Sequence, residues 1–119
     1  MTVLRIVPNL AARDPAGLAR FYQTLLGLDV AMDLGFIVTL AGARQGTQLS
    51  LASEGGAGTE LPLISIEVDD LDAVLERARA LGCPPVHGPA TEDWGVRRFF
   101  LRDPEGNLVN ILTHLENRA

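Results

Sequence analysis

The stretch Leu63-Ile64-Ser65-Ile66-Glu67-Val68-Asp69-Asp70-Leu71, followed by apolar residues at Val74, Leu75 and Ala78 and then by Leu81-Gly82, repeats a pattern already used once in the chain. Its first six residues read as a β-strand. Asp70 then stands as the N-cap of a helix, and Leu71, Val74, Leu75 and Ala78 fall on one helical face. Leu81-Gly82 closes that helix ahead of Pro84-Pro85. A displacement of about 56 residues lays this pattern on the first half of the chain, with Asp14 on Asp70, Leu18 on Val74, and Leu26-Gly27 near Leu81-Gly82. The period is longer than that of most solenoid repeats.

Working towards the N-terminus, Val3-Leu4-Arg5-Ile6-Val7 reads as a strand closed by Pro8-Asn9. Asp14-Pro15 supplies a cap with proline at the first helical position. Leu18, Phe21, Tyr22 and Leu25 follow at i, i+3, i+4 and i+7, which predicts one apolar stripe for the core, and Gly27 stops the helix. Strands are expected at 28–33, 36–40 and 47–52, with turns at Gly35 and from Gly42 to Gly46. The glycine-rich segment from Ser53 to Glu60 reads as a flexible linker. In the second half, a short edge strand is expected around Val86, confined there by its prolines. Strands at 96–101 and 108–114 follow, joined by a type I turn at Asp103-Pro104-Glu105-Gly106. One βαβββ unit cannot enclose a core, whereas two side by side can. The expectation is a single α+β domain over 1–119: module one at 1–53, a linker at 54–60 and module two at 61–119. These paired βαβββ modules would form a curved eight-stranded mixed sheet around a cavity.

A chain of 119 residues, 47% of them hydrophobic, is the size of one domain and can bury a core. Its net charge of -5 and scattered basic residues argue against a phosphate backbone as partner, so no nucleic acid is expected. Acidic residues cluster from Glu67 to Asp72 and at Glu92-Asp93, either as caps and solvating charges or as an attraction for cationic ligands. The single cysteine, Cys83, reads as a small half-buried thiol at a helix end; as a nucleophile it would have only His87 nearby as base. Residues 1–9 lack the pattern of a signal peptide, and no apolar run approaches the length of a membrane span. A cytoplasmic location and no membrane partner are expected by default.

Two stretches carry a family resemblance. One is Leu18-Ala19-Arg20-Phe21-Tyr22-Gln23-Thr24-Leu25-Leu26-Gly27-Leu28; the other runs Trp94-Gly95-Val96-Arg97-Arg98-Phe99-Phe100-Leu101-Arg102-Asp103-Pro104-Glu105-Gly106-Asn107. In combination they resemble the vicinal oxygen chelate superfamily, which includes glyoxalase I, extradiol dioxygenases, and the fosfomycin- and bleomycin-resistance proteins. The resemblance covers nearly the whole chain and implies the fold, which hosts unrelated chemistries. It also implies a place for a divalent metal, with ligands from the first and last strands of each half. Those places fall here on Val7, Gln48, Leu63 and Asn110. Val7 and Leu63 have no donor atom, and Gln48 and Asn110 offer only neutral carbonyl oxygens, so neither a metal nor another cofactor is expected. An alternative site would have to draw on His87 or on His114, which shares strand parity with Asn110.

Strand alternation places Val7 with Asn9, Gln48 with Ser50, and Leu63 with Ser65 on one face. Together with Asn110 and Trp94 these are the candidate ligand-binding residues; no catalytic residue is assigned. Such walls suit a moderately polar organic ligand, or else simply fill a barrel core. The Trp94 ring can stack on a planar or cationic ligand beside Glu92 and Asp93, or can seal a sheet edge or a subunit contact. The leading expectation is a metal-independent binding protein that sequesters a small organic ligand such as an antibiotic, as in the bleomycin-resistance branch, and that pairs as a homodimer. The alternative is a glyoxalase-like or dioxygenase-like lyase, isomerase or ring-cleaving enzyme with a non-standard or absent metal site, or one using Glu67 as base.

Overall fold

The structure, a computed structural model, describes residues 1–44 and 47–115. The elements are β1 (Val3–Ala11), α1 (Pro15–Leu26), β2 (Asp29–Asp33), β3 (Ile37–Ala41), β4 (Gln48–Ala52), β5 (Ile64–Val68), α2 (Leu71–Ala80), β6 (His87–Glu92), β7 (Val96–Arg102) and β8 (Leu108–His114). The βαβββ order thus occurs twice. Hydrogen bonding orders the strands β2-β3-β4-β1-β5-β8-β7-β6, so the sheet has edges at β2 and β6 and is not closed. It is mixed: β1 with β4 and β5 with β8 are parallel, whereas β2–β3, β3–β4, β6–β7 and β7–β8 are antiparallel. This is the α+β architecture the repeat predicts.

The chain gathers into two compact units, Val7–Leu61 and Met1–Ile6 together with the chain from Pro62 onward. Strand β1 contributes to both. It runs four residues past its expected end, through Pro8. The ladder to β4 begins at Asn9, so the missing N–H of Pro8 removes no rung from it.

In the Val7–Leu61 unit, Asp14 accepts a hydrogen bond from Gly17 N (3.1 Å) and Pro15 occupies the first turn. Gly27 ends α1 at φ 69°, a left-handed conformation that glycine adopts without a Cβ penalty. The core joins Ala19 to Val38, Leu40 and Leu51, with Leu18, Tyr22, Leu28 and Leu49 packed against it. The apolar stripe differs from the expected one, since Phe21 is 56% and Leu25 61% exposed. Residues two apart lie about 200° apart around a helix. With Ala19 turned inward, Phe21 must point away, and Leu25, one turn on, follows it.

The segment after β4 also differs from the flexible linker that its composition suggests. Gly55 N donates to Thr59 O (2.9 Å), Thr59 N to Gly56 O (3.0 Å), and Gly58 N to the Glu54 carboxylate (2.8 Å). Gly55 and Gly56 are buried. Of the turn from Gly42 to Gly46, Gln45 and Gly46 lie outside the described residues, and Gly42 N donates to Thr47 O across it (2.9 Å).

In the other unit, Leu71, Leu75 and Ala78 of α2 pack on Val68, Phe99, Val109 and Ile111. Asp70 caps α2 by accepting from Ala73 N (3.1 Å). Asp72 in the first turn and Arg77 and Arg79 in the last complement the helix dipole. The Asp103-Pro104-Glu105-Gly106-Asn107 motif has a structural explanation. One Asp103 carboxylate oxygen accepts from Glu105 N (3.0 Å) and Asn107 N (2.9 Å), and the other from Asn107 Nδ2 (2.9 Å). Led by the Asn107 side chain, these bonds hold the Asp103 carboxyl below its ordinary range. Strand β6 lies at the sheet edge, as its prolines require, though it starts at His87. Gly88 is needed where it stands: its φ is 74°, and a Cβ there would meet Arg98 O at 2.5 Å. Among the described residues, no helix is long and apolar enough to cross a membrane.

Candidate functional site

Each unit has a sheet face turned away from its helix. In the Val7–Leu61 unit, Val38, Leu40 and Leu51 belong to the core against α1, so alternation turns Thr39 and Ser50 to the other side. The Thr39 and Ser50 hydroxyls are 2.7 Å apart. Ser50 stands in register with both Thr39 and Asn9, and Thr39 with Met32. A row Met32–Thr39–Ser50–Asn9 therefore crosses four strands, its three polar members all buried. Val7, also buried, shares the parity of Asn9; Gln48, half-buried, shares that of Ser50 and stands opposite Ala41. The four candidate residues of this unit fall on one face.

In the second unit, Phe99, Val109 and Ile111 face α2, which turns Ser65, Asn110 and Phe100 the opposite way. Ser65 and Phe100 flank Asn110 in register, and His87 pairs with Phe100. Asn110 Nδ2 donates to Ser65 Oγ (3.0 Å). Its amide oxygen is buried with no hydrogen-bond partner among the described residues. Leu63 lies one residue before β5 with its side chain 55% exposed, and its N–H donates to Leu108 O (2.9 Å). Its backbone extends the β5–β8 ladder by one hydrogen bond.

Trp94 lies in the turn between β6 and β7, half-buried. The Arg98 guanidinium stands 4.8 Å from the centre of its ring and 4.6 Å from that of Phe100. Arg98 is nearly fully buried and donates through Nε (2.7 Å) and a terminal nitrogen (2.5 Å) to Glu92 Oε2. Burial draws the Arg98 pKa down, opposed by the hydrogen bond and charge of Glu92. Glu92 is therefore occupied by an internal cation, and Asp93, which is exposed, is the acidic neighbour of Trp94 still open to solvent.

Two features of this face go beyond the candidate residues. One is the Arg98–Glu92 pair, foreshadowed only by parity across a tight hairpin. The other joins β1, β5 and β8. Arg5 Nε donates to Glu67 Oε1 (2.6 Å), and His114 Nδ1 lies 2.6 Å from Glu67 Oε2. Burial pushes the Glu67 carboxyl upward, but hydrogen bonds from His114 and Arg5 and their charges outweigh it, and the net shift is below the ordinary range. The 62-residue separation of Arg5 and Glu67 leaves no local signal for this contact.

The side chains at the positions that the resemblance implies for a metal do not fit a transition metal. Val7 and Leu63 are hydrocarbon, and Gln48 and Asn110 offer only neutral amide oxygens. Among the described residues no group of three or more His, Cys, Asp or Glu is placed to hold a metal ion.

Residues 3–111 match the family model of the Glyoxalase/Bleomycin resistance protein/Dioxygenase superfamily. The chain belongs to this superfamily. It is 28% identical over 117 residues to a bleomycin resistance protein from Klebsiella pneumoniae, covering 88% of each chain. Among solved structures it resembles an NAD-dependent benzaldehyde dehydrogenase from Legionella pneumophila (TM-score 0.74, 16% identity, 92% of this chain and 98% of that one). It also resembles methylmalonyl-CoA epimerase from Mycobacterium tuberculosis (TM-score 0.67, 18% identity, 96% and 88%). At such identities these neighbours share the fold, and one glyoxalase fold serves several chemistries.

Proposed function

We propose that this superfamily member is a metal-independent binding protein that holds a small organic molecule and leaves it unchanged, on the side of the family where its bleomycin resistance relative stands. The carrying observation is the chemistry of the metal positions: hydrocarbon at Val7 and Leu63, amide at Gln48 and Asn110. Asn9 and Ser50 on the face of one unit, and Ser65 and Asn110 on the face of the other, supply neutral donors and acceptors among apolar neighbours, a composition that suits a moderately polar ligand. Trp94 offers its half-buried indole for stacking on a planar ligand, and the net charge of -5 favours a cationic one.

Bleomycin is the first probe, followed by other planar and cationic compounds, with binding read by calorimetry. Saturable binding is expected, weakened by about 2- to 30-fold in Trp94→Ala, as the loss of one stacking contact implies. Unchanged affinity in that variant removes the stacking role. Recovery of an altered ligand, or one equivalent of tightly held divalent metal in the purified protein, overturns the reading in favour of an enzyme.

The protein is further proposed to act as a homodimer. Phe21, Leu25 and Leu26 leave apolar surface on α1 that a second chain would cover. Light scattering should give twice the 12.8 kDa chain mass, and a single-chain mass at micromolar concentration refutes it.

A further inference from the structure

We propose that His114 is a general base for the hydrolysis of activated acyl esters, oriented by Glu67 and Arg5 on the sheet face opposite α2. This goes beyond the binding reading and stands on different residues. Alternation puts Glu67 on the same side as Ser65, and the register sets Leu112 beside Glu67, Arg98 beside Leu112, and Val96 beside His114. Glu67, His114, Leu112 and Val96 therefore share one surface, with the two apolar side chains as its buried floor.

The geometry fixes the proton. An ionised carboxylate only accepts hydrogen bonds, so the 2.6 Å contact between Glu67 Oε2 and His114 Nδ1 requires the hydrogen on Nδ1. The lone pair of the neutral ring then sits on Nε2, the arrangement a histidine base needs. Arg5 Nε, 2.6 Å from the other carboxylate oxygen, stops Glu67 from turning away. The Glu67 side chain is only 15% exposed while that of His114 is 47% exposed, so the anchor is sheltered and the working nitrogen is reachable. His114 Nε2 bonds to no described residue. The second histidine lacks this arrangement, because His87 Nε2 is buried 3.5 Å from a Glu92 already paired with Arg98.

In the step assigned to the site, a water oxygen adds to the acyl carbon while His114 Nε2 takes one of its protons. The tetrahedral adduct then expels the alkoxide or phenoxide, leaving a carboxylic acid. The imidazolium returns its proton to the leaving group or to solvent. Glu67 and Arg5 are positioning residues and touch no substrate.

The probe is p-nitrophenyl acetate with the intact chain, read as p-nitrophenolate release. The rate should exceed that of equimolar 4-methylimidazole and should fall at least about tenfold in His114→Gln and in Glu67→Gln, at the low end of general-base contributions. Nitrogen-15 NMR of the imidazole ring should show Nδ1 protonated in the wild type, and a mixture of tautomers in Glu67→Gln. A wild-type rate no greater than that of 4-methylimidazole, or an equal rate in His114→Gln, overturns the proposal. A full rate in Glu67→Gln overturns the positioning of His114. If Glu67→Gln does not fold, wild-type NMR showing the proton on Nε2 is sufficient to refute it.

Discussion

The two halves answer the same structural problem with the same pair of residue types in exchanged places. In one unit Asn9 on β1 stands beside Ser50 on the parallel strand β4; in the other Ser65 on β5 stands beside Asn110 on β8. What flanks the pair is different. Ser50 is bonded to another hydroxyl, that of Thr39. The face around Ser65 and Asn110 carries Arg5, Glu67, His114, Arg98 and Glu92, arranged as two arginine–carboxylate pairs that each touch a histidine. The repeat thus keeps the strand geometry and the central polar pair, while these two arginine–carboxylate pairs belong to the second copy.

The helices show a second contrast, and it gives the largest expected effect. Helix α2 packs on Phe99, which is fully buried, whereas α1 presents Leu25 to solvent. Phe99→Ala should cost about 3–5 kcal/mol in urea unfolding, from lost transfer energy and the cavity left behind. Leu25→Ala, in a sample dilute enough to hold single chains, should change stability by no more than about 0.5 kcal/mol. Equal losses would erase the contrast and restore Leu25 to the core.

A smaller effect tests where the halves agree. Asp14 and Asp70 occupy matching positions of the repeat, and each accepts one backbone hydrogen bond at 3.1 Å from the residue three further on. Replacing either by alanine should cost about 1 kcal/mol, the usual value of an N-cap, and the two losses should match within error. A loss confined to Asp70→Ala would show that α1 is held by the packing of Ala19 on the sheet and not by its cap.

How much of this was legible in the sequence follows from the range of each interaction. Caps, the Gly27 stop and the βαβββ repeat are set within a few residues, and they read correctly. The α1 stripe did not, because Phe21 and Leu25 fit the helical period as well as Ala19 does; only the small side chain of Ala19 against Val38 and Leu40 decides the rotation. The linker around Gly55 and Gly56 misled because composition reports freedom in the unfolded chain, while its folded hydrogen bonds are invisible to composition. Parity put Val7 with Asn9, Gln48 with Ser50 and Leu63 with Ser65; the strand register then set Asn9 beside Ser50 and Ser65 beside Asn110. Parity did not foresee that Arg98 would take up Glu92 and stand over Trp94, since that depends on the β6–β7 hairpin folding back on itself.

The smallest expected effect probes the ion pairs of the second copy by pH. Burial raises the Glu67 carboxyl, but the hydrogen bonds and charges of His114 and Arg5 outweigh it and leave a net position below 4.5. A carboxyl whose folded pKa is depressed contributes stability above its unfolded pKa, and that contribution is lost as pH falls through the folded value. The wild type should therefore melt above Glu67→Gln at neutral pH, by less than a single N-cap is worth. The gap should narrow as pH drops below about 4.5 and close once Glu67 is protonated. Asp69 and Asp103, whose carboxyls are also held low, are present in both proteins and cancel in the difference. Melting curves across this range decide the matter. A gap that stays constant down to strongly acid pH would mean that the Glu67→Gln substitution costs packing and not charge, and that Arg5 and His114 do not stabilise the ionised carboxylate.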